Sequence, residues 1–421
     1  MSTVFIQVGQ CGNQVGFQLW KFLQDEVSIR NNTVFSRASE RARCILVDSE
    51  PKVVEKPFAK STHPLYNVLS PALVAKTSSG RGNNWATGYA DKPEKDLSLS
   101  ISVMDLMRKE IEQCDYYKGC VLIHSLAGGT GSGLGCKLIE KIRDEYPICF
   151  ITTASILPSE TGDTPLQDYN SVLGLAHLQQ FADAIIYYEN DEMLRLVQQF
   201  SKRGSNVSTH NINECIAFSL CNLLVPQRNS DVNITSIYQD LVPSESYKFI
   251  DTRSFPFVLD KQCTLQRDTP WNSLLESSIK NYSRPGEDLT HSTICATATF
   301  RGDDVRSEID RHIKPVYNKV SSLFRPVPWA DKDYLKLSVI QAKAMSQVYN
   351  IDRCISLTGN RTSIVHPIVK LISSAKAKFQ ARAYLHWYQK YNCSEAHFIE
   401  SFEIVEKIIK DYQGTLKINS I

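Results

Sequence analysis

The run Leu126-Ala127-Gly128-Gly129-Thr130-Gly131-Ser132-Gly133 constrains this chain more than any other stretch. The uninterrupted apolar residues Cys120-Val121-Leu122-Ile123 precede it and read as a buried strand, and residues 134–144 follow it and read as a helix. A strand, a glycine-rich turn and a helix start together build an anion site. Glycine lets backbone N–H groups approach phosphate closely, and the helix dipole favours negative charge there. Thr130 and Ser132 are expected to add hydroxyl donors. A flexible surface loop is the bland alternative, and the flanking strand and helix argue against it. Spacing excludes two common phosphate loops. No lysine lies between Cys120 and Cys136, so there is no Walker loop. Gly131-x-Gly133-x-Gly135 is one residue too tight for the dinucleotide fingerprint.

The first 190 residues alternate strand and helix. Strands are predicted at 4–8, 44–48, 120–125, 149–154 and 184–188, and helices at 12–26, 98–114, 132–144 and 168–181. Continuous apolar strands between helices indicate an α/β fold with a mostly parallel sheet covered on both faces. Ligands of such sheets bind beyond the carboxyl ends of the strands, where the loops at Gly9, Glu50 and Ala127 would meet. Residues 213–224 read as a buried central helix. Between 229 and 365, short strand-like pieces such as 255–257, 292–300 and 334–340 indicate a second, mixed α/β domain. Two helices are predicted near 367–391 and 394–412, with Asn392 and Cys393 at the corner and Ser394 as N-cap. The division expected is 1–190, 191–365 and 366–421.

Composition excludes several function classes. A formal net charge of +2 gives no strong pull toward nucleic acid or membrane surfaces. No run of about 18 apolar residues reads as a membrane span, and no basic segment followed by an apolar core reads as a signal peptide. The 12 cysteines are scattered with no Cys-x-x-Cys pair, which argues against zinc and a secreted disulfide scaffold and fits a reduced, cytosolic compartment.

Gly-Gly-Thr-Gly-Ser-Gly at 128–133 resembles the signature of the tubulin superfamily. So do Gln7-Val8-Gly9-Gln10-Cys11-Gly12-Asn13-Gln14-Val15-Gly16, Gly82-Asn83-Asn84-Trp85-Ala86-Thr87-Gly88 and Arg382-Ala383-Tyr384-Leu385-His386-Trp387-Tyr388, in the family's order. The resemblance implies a tubulin-like fold: a parallel-sheet GTP-binding domain, a central helix, an intermediate domain and a C-terminal helical pair. It implies GTP or GDP with Mg²⁺ as cofactors. Gln10 and Cys11 would face the nucleotide, Gln10 near the phosphates and metal. Asn83 would reach the terminal phosphate, and Ala127, Gly128, Gly129, Thr130, Gly131 and Ser132 would cradle it. Asp48 and Glu50, two carboxylates at a strand's carboxyl end, suit magnesium held partly through water. Asp163 matches a ribose-loop carboxylate. Asn190 and Asn213 match two base-reading asparagines, and an amide can meet guanine's O6, N1–H and N2–H.

Some residues depart from the family pattern. Thr209 stands where an aromatic would stack on guanine, with His210 beside it as a partial substitute, and Gln167 replaces a ribose-loop glutamate. Ser236 falls at the glutamate that completes the hydrolytic site of the next subunit, and serine cannot activate water near neutral pH without a base. Asp231 and Asp240 flank it. The ending Gly414-Thr415-Leu416-Lys417-Ile418-Asn419-Ser420-Ile421 has no carboxylate run of the kind lattice tubulins carry. Ala127, Gln167 and Asp168-Tyr169-Asn170-Ser171 most resemble the delta and zeta classes, which are tied to centrioles and basal bodies. The implied partners are other tubulins or microtubules and centriolar or basal-body proteins, with no nucleic acid and no membrane insertion. The implied location is the cytoplasm and cytoskeleton, at centriole or ciliary basal body. A conventional microtubule subunit and a freestanding nucleotide hydrolase or dehydrogenase are the rival readings. The missing nicotinamide fingerprint speaks against a dehydrogenase.

Overall fold

A computed structural model describes the chain except residues 1, 27–32, 38, 78–79, 93–97, 163, 201–206, 226–233, 260–261, 264–268, 284–290, 307–312, 332, 342–350 and 416–421. It forms two compact units. The first gathers Met1–Phe17, Ile29–Asp191 and Val365–Lys410, and the second Gln18–Ser28, Glu192–Ile364 and Asp411–Ile421.

In the first unit, β1 (Ser2–Val8), β2 (Cys44–Asp48), β3 (Val74–Lys76), β4 (Tyr117–Ser125), β5 (Phe150–Leu157) and β6 (Ala184–Glu189) run parallel in the order β6-β5-β4-β1-β2-β3. All of β1 and β2 is buried, as continuous apolar strands covered on both faces require. Helices α1 (Gly9–Glu26), α2 (Pro51–Glu55), α3 (Trp85–Ala90), α4 (Leu99–Glu112), α5 (Gly135–Glu145) and α6 (Gln167–Phe181) follow the strands, and α7 (Asn190–Phe200) begins at the end of β6.

The helix expected from residue 132 begins differently. The chain enters a π-helical turn, Gly129–Leu134, and only then the regular helix α5. Glycines at 129, 131 and 133 allow this wider turn to lie flat against neighbouring backbone. A Cβ on Gly133 would stand 2.1 Å from the Trp85 carbonyl oxygen of α3. π-Turns inside helices occur often at functional sites.

The first C-terminal helix also differs from the expected 367–391. It spans Val365–Gln380, stops, and resumes as Leu385–Gln389 before the last helix, Glu395–Gly414. The stop is a Schellman turn. Arg382 takes φ 52°, the Ala383 N–H donates to the Lys378 carbonyl at 3.0 Å, and the Arg382 N–H donates to that of Phe379 at 2.9 Å. Asn392 turns the corner at φ 63°.

The second unit carries α8 (Thr209–Leu224), α9 (Ile234–Leu241) and four strands in the order Leu335–Ile340, Thr293–Gly302, Arg353–Arg361, β7 (Phe249–Phe255). The last two pair antiparallel and bury polar side chains that satisfy one another. The hydroxyls of Thr252 and Thr358 meet at 2.8 Å, and those of Ser254 and Ser356 at 2.7 Å. Helix α8 is capped by Ser208 and Asn211 in a reciprocal box. Among the described residues, no helix is long and apolar enough to cross a membrane.

Candidate functional site

Four loops at the carboxyl edge of the parallel sheet are tied to one another. After β1 the chain turns at Gly9 with φ +77°, and a Cβ there would lie 2.9 Å from the Gly131 amide nitrogen. Glycine is therefore required for both its conformation and the closeness of the loop after β4. The buried Asn13 amide donates to the carbonyls of Gly9 at 2.9 Å and Val47 at 3.0 Å, which binds the ends of β1 and β2. The hydroxyls of Ser49, after β2, and Thr130 meet at 2.8 Å. Asn84 caps α3, its Oδ1 accepting the Ala86 N–H at 2.8 Å, and Asn83 just before it sits at φ 50°.

The residue that joins the loop at Asn83 to the loop at Ala127 is Asn170, in the first turn of α6 and fully buried. Its Nδ2 donates to the carbonyls of Asn83 and Ala127, both at 2.7 Å. Its Oδ1 accepts the Trp85 N–H at 2.8 Å and the Tyr388 hydroxyl at 2.7 Å. Carbonyls only accept and a backbone N–H only donates, so this orientation of the amide is the one that satisfies all its partners. A peptide's N–H points opposite to its C=O. Holding the Ala127 carbonyl inward therefore aims the Gly128 N–H outward. The first N–H groups of a helix have no intrahelical partner, so the start of the Gly129–Leu134 turn leaves backbone donors that the turn itself does not use.

Ser132 differs from the expectation that its hydroxyl serves a ligand. That hydroxyl is buried and donates to the Asn170 carbonyl at 3.0 Å, leaving Ser132 its backbone N–H. Gly128 is the open position of the run. A Cβ there would meet nothing nearer than Asn83 Oδ1 at 3.9 Å, and its φ of −97° suits any residue. His124, on β4 beneath the turn, lies between the Gly131 carbonyl and the Ser155 hydroxyl, 2.8 Å from each. Burial pushes its pKa down to about 4, so it is a neutral brace.

Asp48 ends β2 almost wholly buried. Its Oδ1 accepts the Glu50 N–H at 3.1 Å, while its Oδ2 is buried with no hydrogen-bond partner among the described residues. Burial, reinforced by the charge of Glu50 and offset by hydrogen bonds from Glu50 and Ser49, leaves its pKa raised to about 6. An unpartnered buried carboxylate oxygen fits a divalent cation. Glu50 is exposed beside it. No cluster of three or more metal-ligating side chains occurs among the described residues.

Gln10 is exposed in the first turn of α1, and Cys11 is half-buried with its thiol pushed up to about 12 by burial, so it stays a thiol. Asn190 opens α7 directly after β6, at the same sheet edge as the other loops. Asp163 lies outside the described residues. Asn213 belongs to the second unit, buried in α8, where Thr209 is exposed and His210 Nδ1 lies 3.4 Å from Gln18 Nε2. Gln167 donates to the Ser159 carbonyl at 2.8 Å. Ser236 sits in α9, whose one acidic residue, Asp240, is ion-paired with Lys336 at 3.0 Å; Asp231 lies outside the described residues.

The sequence reading missed Asn170 and His124 as parts of this site. A polar run, Gln167-Asp168-Tyr169-Asn170-Ser171, opening a helix that is buried all round was the available signal, because buried polar groups need partners.

The profile of the Tubulin/FtsZ family, GTPase domain, matches residues 2–198. The human protein named tubulin delta chain is 27% identical along an alignment that covers 98% of this chain and 99% of that protein. The tubulin beta chain of Cicer arietinum is 30% identical, covering 97% of this chain and 93% of that protein. The tubulin beta-1 chain of Hypocrea rufa is 29% identical, with 98% and 94% covered.

Proposed function

The chain belongs to the tubulin family, and from that premise we propose that it is a guanine-nucleotide-binding tubulin of the delta or zeta class, a structural component of centrioles or basal bodies that organises microtubules in cilia. The observation that carries the nucleotide reading is the mutual anchoring of the loops at Gly9, Ser49, Asn83 and Ala127 around outward-aimed amides. Relatives named tubulin delta chain that match along 98% of the chain support the class.

In this reading the N–H groups of Gly128, Gly129, Thr130 and Gly131 donate to the phosphate oxygens, and Asn83 and Gln10 reach toward the outer ones. Asp48 and Glu50 would hold Mg²⁺, which would supply charge neutralisation at the phosphates. Asp163 meets the ribose. Asn190 and Asn213 are each assigned a part in reading guanine, on the resemblance alone. With threonine at 209 in place of a stacking aromatic, discrimination is weaker than in conventional tubulins. Hydrolysis within one chain lacks a base, and Ser236 supplies none to a neighbouring subunit, so the protein is at most a weak GTPase that another subunit completes.

The matches to tubulin beta chains favour a second reading, a subunit that copolymerises with alpha- or beta-tubulin. A tagged copy placed against centriole markers, combined with co-pelleting on assembled microtubules, separates the two. Centriolar signal without co-pelleting supports the first reading. Stoichiometric co-pelleting along the lattice supports the second.

A further inference from the structure

The opening turn of α6 faces two ways. On one side Asn170 holds the Asn83 and Ala127 carbonyls, and the Ser171 hydroxyl donates to the Leu126 carbonyl at 3.3 Å. On the other side the same turn is gripped by the C-terminal helices. The Asp168 carboxylate accepts from Lys378 Nζ at 2.6 Å and from the Ser374 hydroxyl. The Tyr169 hydroxyl donates to the Ala383 carbonyl at 3.1 Å, inside the Schellman turn that breaks the helix. Beyond that break, the short helix Leu385–Gln389 delivers the Tyr388 hydroxyl to Asn170 Oδ1 at 2.7 Å. Both side chains are fully buried, and the Tyr388 ring is fixed by edge contacts with Tyr169 and Phe398 at centroid distances of 5.5 and 5.2 Å.

We propose that Tyr388 is a positioning residue for the phosphate loops, acting through Asn170, and that nucleotide occupancy and the order of the Leu385–Gln389 helix are thereby linked. The physical step is short. The Trp85 N–H and the Tyr388 hydroxyl fill both acceptor positions of Asn170 Oδ1, so the Tyr388 hydroxyl adds a fourth constraint on the amide plane. That plane sets where Nδ2 holds the Ala127 carbonyl, and the Ala127 carbonyl sets the direction of the Gly128 N–H. By reciprocity, a ligand that fixes the Gly128 peptide stabilises the Tyr388 contact by the same factor. The inference rests on the nucleotide reading above.

Two variants make it testable. Tyr388→Phe removes one hydroxyl and keeps the ring packing. Tyr169→Phe removes a hydroxyl from the same helical turn that bonds the same C-terminal segment but does not touch Asn170. GDP and guanosine affinities are measured by competition against a fluorescent guanine nucleotide, and amide exchange at 385–389 is followed with and without GDP. We expect Tyr388→Phe to weaken GDP about fivefold, the effect of one buried hydrogen bond, and to leave guanosine binding unchanged. Tyr169→Phe is expected to leave both unchanged. GDP should slow exchange at 385–389 in the wild type and not in Tyr388→Phe. A wild type that binds GDP, with Tyr388→Phe binding it equally well, overturns this inference alone. Equal losses for both variants, or for GDP and guanosine alike, reduce Tyr388 to a general structural contact and overturn it too. A wild type that binds no GDP overturns the reading of the site itself, and this inference with it.

Discussion

Asp48 should make the nucleotide-free protein less stable as pH rises. Its pKa is about 6 in the folded chain against an ordinary value of 3.8. A folded-state pKa raised above the unfolded one means that the favourable contribution is complete below pH ~4 and is lost as pH rises through ~6. About two units correspond to about 3 kcal/mol of unfavourable ionisation above that window. Asp48→Asn removes the ionisation but puts an amide with an unpaired buried donor in its place, which returns about 1–2 kcal/mol. The expected net gain for Asp48→Asn is therefore about 1–2 kcal/mol at pH 7.5, without nucleotide or divalent cation. At pH 5 only about half of that penalty has developed and the cost of the buried amide offsets it, so the variant should show no net gain. Denaturant titrations of both proteins at the two pH values measure this difference directly. Mg²⁺ with GTP should reverse the order by stabilising the wild type far more than the variant. A wild-type-minus-variant difference that stays constant between pH 5 and 7.5 would refute the argument that desolvation of Asp48 sets the trend.

Other expectations follow from the same geometry. Gly133→Ala places a Cβ 2.1 Å from the Trp85 carbonyl and should lower stability by about 3 kcal/mol or prevent folding, read by thermal unfolding and soluble yield. Asn190→Ala and Asn213→Ala should each lower the preference for GTP over ATP through lost hydrogen bonds worth about 1–3 kcal/mol; equal competition by ATP and GTP in the wild type would sink the guanine assignment. Ser236→Glu should gain phosphate release in mixtures with candidate partner tubulins, where the unmodified chain stimulates none. Rapid release that survives Ser236→Ala would assign the work to another residue.

The parallel half of the fold was legible because its strands are covered on both faces and read as unbroken apolar runs, as in Cys44–Asp48. In the second unit the pieces read at 292–300 and 334–340 fall on the strands Thr293–Gly302 and Leu335–Ile340, but the other two strands were hidden for the opposite reason. Phe249–Phe255 and Arg353–Arg361 bury Asp251, Thr252, Arg253, Ser254, Thr358, Asn360 and Arg361, so their sequences look like exposed loops. The break after Gln380 was invisible because its left-handed residues are Arg382 and Tyr384 rather than glycine. Within the site, the glycine run was legible as a phosphate loop, but sequence could not divide its glycines by role. Gly133 is fixed by the Trp85 backbone, whereas Gly128 alone faces open space with an ordinary φ. The polar run at 167–171 marks Asn170 as needing partners, but which partners these are, at 83, 85, 127 and 388, is set only by the fold.

Gly128 accordingly offers the most direct test of the central claim, that the outward amides after β4 hold nucleotide phosphate. Nucleotide-stripped wild type and Gly128→Val are titrated with GDP and Mg²⁺ by calorimetry, alongside their thermal midpoints. The variant should unfold at the wild-type temperature, because a Cβ there meets nothing within 3.9 Å. Its branched side chain should nevertheless block approach to the Gly128 N–H and weaken GDP about tenfold or more, the loss of a charge-assisted hydrogen bond. A wild type that takes up no GDP, or a folded Gly128→Val that binds GDP as tightly as the wild type, would contradict the account.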